Sequence, residues 1–246
     1  MKLVLLTAFG VGGATVFGAL IGFLFKRIPK ACSNALLCFA AGVMLSAAVS
    51  GLIEPAMACA GQHAVLLVTG GIFSGALFLD LLGRFTPCFH RIAGISPQIG
   101  TDGTLLFVAA IAIHNLPEGI AAGVSFGTGS VSDALRVAGS IALQNIPEGM
   151  VIIAPMQQIG IRPMRTFLIA LATGLSEVIG TLIGYYFASA SLALLPFALA
   201  FAGGTMLYVI TDEMIPNHRS TADAPGAAYA LLFGFCLMAA MDHMLG

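Results

Sequence analysis

Charge is what this sequence has least of. Only 9% of its 246 residues are charged, against 59% hydrophobic. A water-soluble domain usually carries about 25% charged residues, so this surface could not be kept in water. The mean hydropathy of +1.00 points the same way. A net charge of −1 gives no strong field of one sign, and a nucleic-acid partner is not expected. The five cysteines, Cys32, Cys38, Cys59, Cys88 and Cys236, are scattered with no CxxC pair. That excludes a zinc ribbon and supplies no disulfide framework; small apolar packing residues are their ordinary reading. No GxxxxGK[ST] loop appears, so no nucleotide is expected. A hydrophilic domain is lacking too.

What is there is a series of long apolar runs. The first follows Lys2 and has the outline of a signal peptide. It is too long, and it stops at Lys26-Arg27 without a small-residue cleavage site, so a retained membrane helix is the better reading. Stretches long enough to span about 30 Å of hydrocarbon fall at 3–25, 33–54, 63–84, 103–126, 132–154, 165–189, 192–214 and 225–245. Short connections rich in Gly, Pro, Ser and Asp join them, and the longest runs from Phe85 to Asp102. The expectation is an all-α membrane protein, with residues 1–246 as one transmembrane domain of eight helices. Of the ten Lys and Arg residues, eight lie in the connections after spans 1, 3, 5 and 7, and only Lys2 and Arg136 on the opposite side. Positive charge marks the cytoplasmic side, so both termini are expected outside.

Most of the eleven acidic residues sit near span ends or in loops. Glu118, Glu148 and Glu177 sit inside spans 4, 5 and 6, where a charged group costs about 2.5–3.5 kcal/mol on insertion scales. His114, Gln144 and Glu177 lie eleven, twelve and twelve residues into their spans. With a rise of about 1.5 Å per residue, each is roughly 16–18 Å deep, near the midplane. Polar groups from three helices at one depth are how a membrane substrate site is built.

Spans 4 and 5 also repeat a hexapeptide, His114-Asn115-Leu116-Pro117-Glu118-Gly119 and Gln144-Asn145-Ile146-Pro147-Glu148-Gly149, at an offset of 30 residues. The two copies run in opposite directions through the membrane. Spacing of i, i+4 places His114 with Glu118, and Gln144 with Glu148, on one face; Asn115 and Asn145 flank those faces. Pro117 and Pro147 crowd the carbonyls of Ile113 and Leu143 and should free backbone oxygen at depth, tolerated only where protein, water or an ion satisfies it. Carboxylate, imidazole and amide oxygen together suit Zn²⁺, Fe²⁺ or Mn²⁺ more than Mg²⁺ or Ca²⁺. Several glutamates on facing helices could hold two ions, and three packed carboxylates repel, so metal binding is expected to release protons.

At these two motifs the chain resembles the ZIP family of zinc and iron transporters, particularly its bacterial GufA-like members. The resemblance extends over the whole chain. It implies a ZIP-type bundle with inverted-repeat character, and movement of Zn²⁺, or of Fe²⁺, Mn²⁺ or Cd²⁺, into the cytoplasm by one helix bundle sliding against another. It also implies a two-metal centre on helices 4, 5 and 6. By motif position, His114, Glu118, Gln144 and Glu148 match family ligands, with Glu118 bridging. Asn115 and Asn145 match second-site ligands, Glu177 resembles the helix 6 ligand, and Met44 a thioether ligand from helix 2. Gln144 stands where many members have histidine, and the connection after span 3 offers only His90 where many are histidine-rich. Zinc is then a substrate, with no organic cofactor. The expected partners are the ion, the bilayer and, as a candidate, a second copy of the chain; the setting is a bacterial inner membrane.

Each of these residues also has a bland reading. The deep polar groups could simply pin helices together by hydrogen bonds, and Met44 could be packing. Asp212, Glu213 and His218, at the expected inner end of span 7, are either a solvated helix end or a metal exit relay. Glu54, Asp242 and His243, at outer ends, are either ordinary interfacial groups or ion-access residues. The competing function is an intramembrane metalloenzyme with a carboxylate-bridged centre, against which the sequence shows no HExxH or ExxH arrangement. A metal-sensing receptor is disfavoured by the short loops.

Overall fold

Long apolar runs have few stable forms in lipid, and a helix satisfies all its backbone groups within the segment. The computed structural model describes residues 1–24, 30–92, 115–158, 161–190, 193–215 and 224–245, and among these the regular structure is all helical. Helix α1 spans Lys2–Leu24. Helix α2 starts as Lys30–Ser46, widens into a π-helical stretch over Ala47–Ile53 and finishes as Glu54–Cys59. Helix α3 covers Ala64–Ile92. Helix α4 is described over 115–124 and tightens into a 3-10 turn at Ser125–Thr128. Helices α5 and α6 cover Val131–Gln158 and Pro163–Ala190. Helix α7 covers Leu195–Val209 with a π-helical end at Ile210–Met214, and α8 covers Ala224–Leu245.

Among the described residues, six stretches are long and apolar enough to cross a membrane: Lys2–Leu24, Ala31–Cys59, Ala64–Leu81, Pro163–Ser189, Leu195–Asp212 and Gly226–Met244. The two other expected spans correspond to α4, described in part, and α5, which carries Gln144, Asn145 and Glu148 in its middle. Two helices outrun the expected spans. Helix α2 continues past residue 54 to Cys59, and α3 continues to Ile92, so the first part of the Phe85–Asp102 connection is helical. A helix bonds its own backbone and can continue beyond the apolar stretch that marked it in the sequence. Local chemistry sets some ends. Gly129 takes a left-handed φ of 80° after α4, a conformation that glycine adopts without steric cost. The Ser130 hydroxyl then accepts the Asp133 N–H at 3.2 Å and caps α5.

Large apolar side chains point outward, among them Leu24, Leu66, Phe73 and Tyr229, each more than 70% exposed. The interior holds many small residues, such as Ala40, Ala41, Ala47, Ala48, Ala121 and Ala122, beside larger ones such as Leu52, Ile141 and Met206. Small residues let helix backbones approach closely in a solvent as apolar as the side chains. The helices pair as α1 with α5 and α6, α2 with α8, and α3 with α7, while glycines on α6 seat it against α4. Two sets result, α1/α4/α5/α6 and α2/α3/α7/α8. They meet chiefly where α2 crosses α5.

Candidate metal centre

The two motif glycines determine which helices reach the centre. A Cβ on Gly119 would sit 2.3 Å from the Glu177 carbonyl oxygen, and one on Gly149 would sit 2.1 Å from the Thr15 carbonyl oxygen. No side chain fits at either place, so α6 lies directly on the first motif and α1 on the second. Polar residues that the sequence places at one depth are thereby brought into contact.

Glu177, fully buried, is the hub. Its Oε1 accepts the Thr15 hydroxyl at 2.6 Å and the Asn115 side-chain N–H. Its Oε2 accepts the Asn145 side-chain N–H at 2.7 Å, and Asn145 also donates to the Val11 carbonyl at 3.3 Å. Gln144 donates to Glu118 Oε1 at 2.9 Å. Glu118, Glu148 and Glu177 lie within electrostatic reach of one another. An ionised carboxylate only accepts hydrogen bonds, so each asparagine turns its N–H side to Glu177 and leaves its oxygen facing elsewhere.

Among the described residues, Asn115 Oδ1, Asn145 Oδ1, Gln144 Oε1 and Glu118 Oε2 are buried with no hydrogen-bond donor. Buried polar atoms are nearly always satisfied, and an acceptor can be satisfied by a donor or by a cation. All four belong to the repeated motifs. The cage is made of amides and carboxylates; among the described residues no three His, Cys, Asp or Glu side chains form a ready metal-holding group.

The other expected site residues are distributed as follows. His114 and His218 lie outside the described residues, as does Ile113 beside Pro117. Met44 is fully buried in the apolar cluster that also contains Val11 and Ile141. Glu54 and Asp212 are exposed, and Glu213 falls in the π-helical end of α7. Asp242 accepts a hydrogen bond from Ser50, in the π-helical part of α2. Its carbonyl is reached by Arg136 at 3.5 Å, and Arg136 also pairs with Asp133. Met44, Glu54, Asp212 and Asp242 make no hydrogen bond to Glu177 among the described residues.

Thr15 is the hub residue that the span-by-span reading missed. A signal for it exists. Gly12-x-x-Thr15-Val16-x-Gly18-x-Leu20-Ile21-Gly22 in α1 matches Gly174-x-x-Glu177-Val178-x-Gly180-x-Leu182-Ile183-Gly184 in α6, at an offset of 162 residues. The packing obeys the same correspondence. Gly18 and Gly22 face the carbonyls of Ile146 and Met150 on α5, while Gly180 and Gly184 face those of Leu116 and Ile120 on α4. These acceptors are themselves motif equivalents, 30 residues apart. The α1/α5 pair thus repeats the α6/α4 pair, with Thr15 in the place of Glu177.

A cage of carboxylates and amides enclosed by membrane-length helices defines the class: an integral membrane protein whose polar centre is suited to a cation. The chain belongs to the ZIP zinc transporter family, whose profile matches residues 92–242. It is 39% identical to the zinc transporter GufA of Myxococcus xanthus over 188 residues, 76% of this chain and 74% of the relative. It is 35% identical to the zinc transporter ZIPB of Bordetella bronchiseptica over 241 residues, 95% of this chain and 78% of the relative. A zinc transporter ZupT of Chlorobium limicola is 31% identical over 254 residues, 95% and 94% of the two chains. The family is one of transporters, and the metalloenzyme alternative is set aside.

Proposed function

We propose that this protein carries Zn²⁺, with Fe²⁺, Mn²⁺ and Cd²⁺ as lesser cargo, across a bacterial plasma membrane into the cytoplasm. The ion is held by His114, Asn115 and Glu118 of α4, Gln144, Asn145 and Glu148 of α5 and Glu177 of α6, with Met44 closing the cage from α2. The observation that carries this reading is the set of donorless amide and carboxylate oxygens of Asn115, Asn145, Gln144 and Glu118, buried among three carboxylates. Such an arrangement is costly in a low-dielectric interior unless a cation balances it. Two ions can share the cage, one beside His114 and Gln144 and one beside the asparagines and Glu177. The whole chain, 1–246, acts as one membrane domain with both termini outside, as the Lys and Arg asymmetry favours. Asp212, Glu213 and His218 form the exit side and Glu54 lies on the access side.

Movement follows from how the two helix sets are joined. Inside each set, glycines bring backbone against backbone, as at Gly42 beside the Leu231 carbonyl and Gly75 beside the Phe201 carbonyl. Across the sets, Gly51 meets only the side chain of Val137 and Gly127 that of Leu195. Side-chain contacts between small residues slip more readily than interlocked backbones, which supports the α1/α4/α5/α6 set sliding with its ion against the other. The test is uptake of labelled zinc by purified protein in sealed vesicles, abolished by Glu118→Ala combined with Glu148→Ala. Binding without flux would refute transport.

A further inference from the structure

We propose that Thr15 on α1 is a positioning residue of the zinc site: its hydroxyl fixes the Glu177 carboxylate, which in turn orients Asn115 and Asn145. The proposal deepens the reading above and rests on it. A buried threonine in a helix ordinarily donates back to a carbonyl three or four residues earlier. Thr166, Thr173, Thr181 and Thr205, all buried, do so here. Thr15, equally buried, instead donates across to a different helix, to Glu177 at 2.6 Å. Gly149 of the second motif makes this reach possible, since any larger residue would push the Thr15 backbone away.

The consequence passes through Glu177 to the cage. Glu177 Oε1 is held from α1 by Thr15 and from α4 by Asn115, and Oε2 is held from α5 by Asn145. With both oxygens fixed, the two amides have one favourable orientation, which turns each Oδ1 away from the hub. Without the Thr15 donor the carboxylate loses its hold from α1 and rests only on the two amides that it orients. The asparagine amides then lose the anchor that aims their oxygens. At the equivalent position of the internal repeat, α6 supplies a charge and α1 supplies the donor that holds that charge still. The centre therefore has one anchored carboxylate where two glutamates would repel.

The experiment compares Thr15→Val, isosteric without a donor, with Thr15→Ser, which keeps the hydroxyl. Zinc affinity is measured by competition titration on purified protein, and the KM and maximal rate of zinc uptake in vesicles. Groups that orient metal ligands are typically worth 10–100-fold in affinity, so Thr15→Val is expected to weaken binding and raise KM by about that factor. The Ser variant should restore both, with helix content unchanged throughout. Wild-type behaviour of Thr15→Val, or equal impairment in both variants, would overturn the proposal. Should the Val variant not be recovered folded, Thr15→Cys takes its place: a weak donor should give intermediate weakening, and wild-type affinity would count against the hydroxyl. If wild-type protein itself neither binds nor moves zinc, the site reading falls and this inference with it. That outcome is distinct from a silent Thr15→Val in an active transporter.

Discussion

Gln144 donates its side-chain N–H to Glu118 at 2.9 Å, tying the first residue of one motif copy to the fifth residue of the other. The amide spends its N–H on the carboxylate and keeps a buried, donorless oxygen. Position 144 is where the first motif has a histidine, His114. An imidazole could donate to Glu118 from one nitrogen and ligate from the other, and nitrogen suits zinc better than an amide oxygen does. Gln144→His is therefore expected to tighten zinc binding by roughly ten-fold, about 1.4 kcal/mol. Competition titration against manganese reads this directly; no gain in zinc preference would mean position 144 does not face the ion.

The motif glycines should be intolerant for a steric reason. Gly119→Ala and Gly149→Ala place a methyl against backbone oxygen at 2.3 and 2.1 Å, which no rotamer change relieves. Overpacking of this kind costs about 1–3 kcal/mol or more, and a lower unfolding temperature in detergent is the expected readout. Gly139, on the same helix as Gly149, has nothing within 4 Å of such a methyl. Gly139→Ala should be neutral or stabilising, by up to about 1 kcal/mol. Equal effects at 139 and 149 would contradict the close approach of α1 to α5.

Asn145→Asp tests the charge arrangement at the hub. Asn145 donates to Glu177 Oε2 at 2.7 Å; an aspartate there would set two acceptors face to face. Removing one partner of a buried hydrogen bond costs about 1–3 kcal/mol, so the metal-free protein should unfold at a lower temperature. Zinc relieves the repulsion, and a ligand that binds only the folded state stabilises it. The zinc-induced rise in unfolding temperature should thus be larger for Asn145→Asp than for wild type. A variant as stable as wild type without metal would place Asn145 outside the hub.

Much of this was legible in the sequence. Lipid requires long apolar helices, and each described helix lies where an apolar run does, to within a few residues at most of the described ends. The excess at α2 and α3 was invisible because composition reports where lipid is needed, whereas a helix ends where its backbone bonding stops. Glu118, Glu148, Gln144 and Glu177 were readable because depositing them in hydrocarbon is costly and their depth follows from counting residues. Thr15 was passed over because a lone threonine in an apolar helix is ordinary. Only the α1–α6 repeat, two weak halves 162 residues apart, marks it out.

The sequence by itself determined the solvent, the helices and the level at which polar groups sit, because hydropathy and the fixed helical rise are local properties of the chain. Tertiary structure decided which groups touch: Thr15 with Glu177, Gln144 with Glu118, and the asparagine oxygens left without donors. Depth runs along one axis and can be counted. Azimuth and neighbour choice are set by where glycine lets one backbone settle into another, and those contacts join residues far apart in the chain, 58 positions for Gly119 with Glu177 and 134 for Gly149 with Thr15.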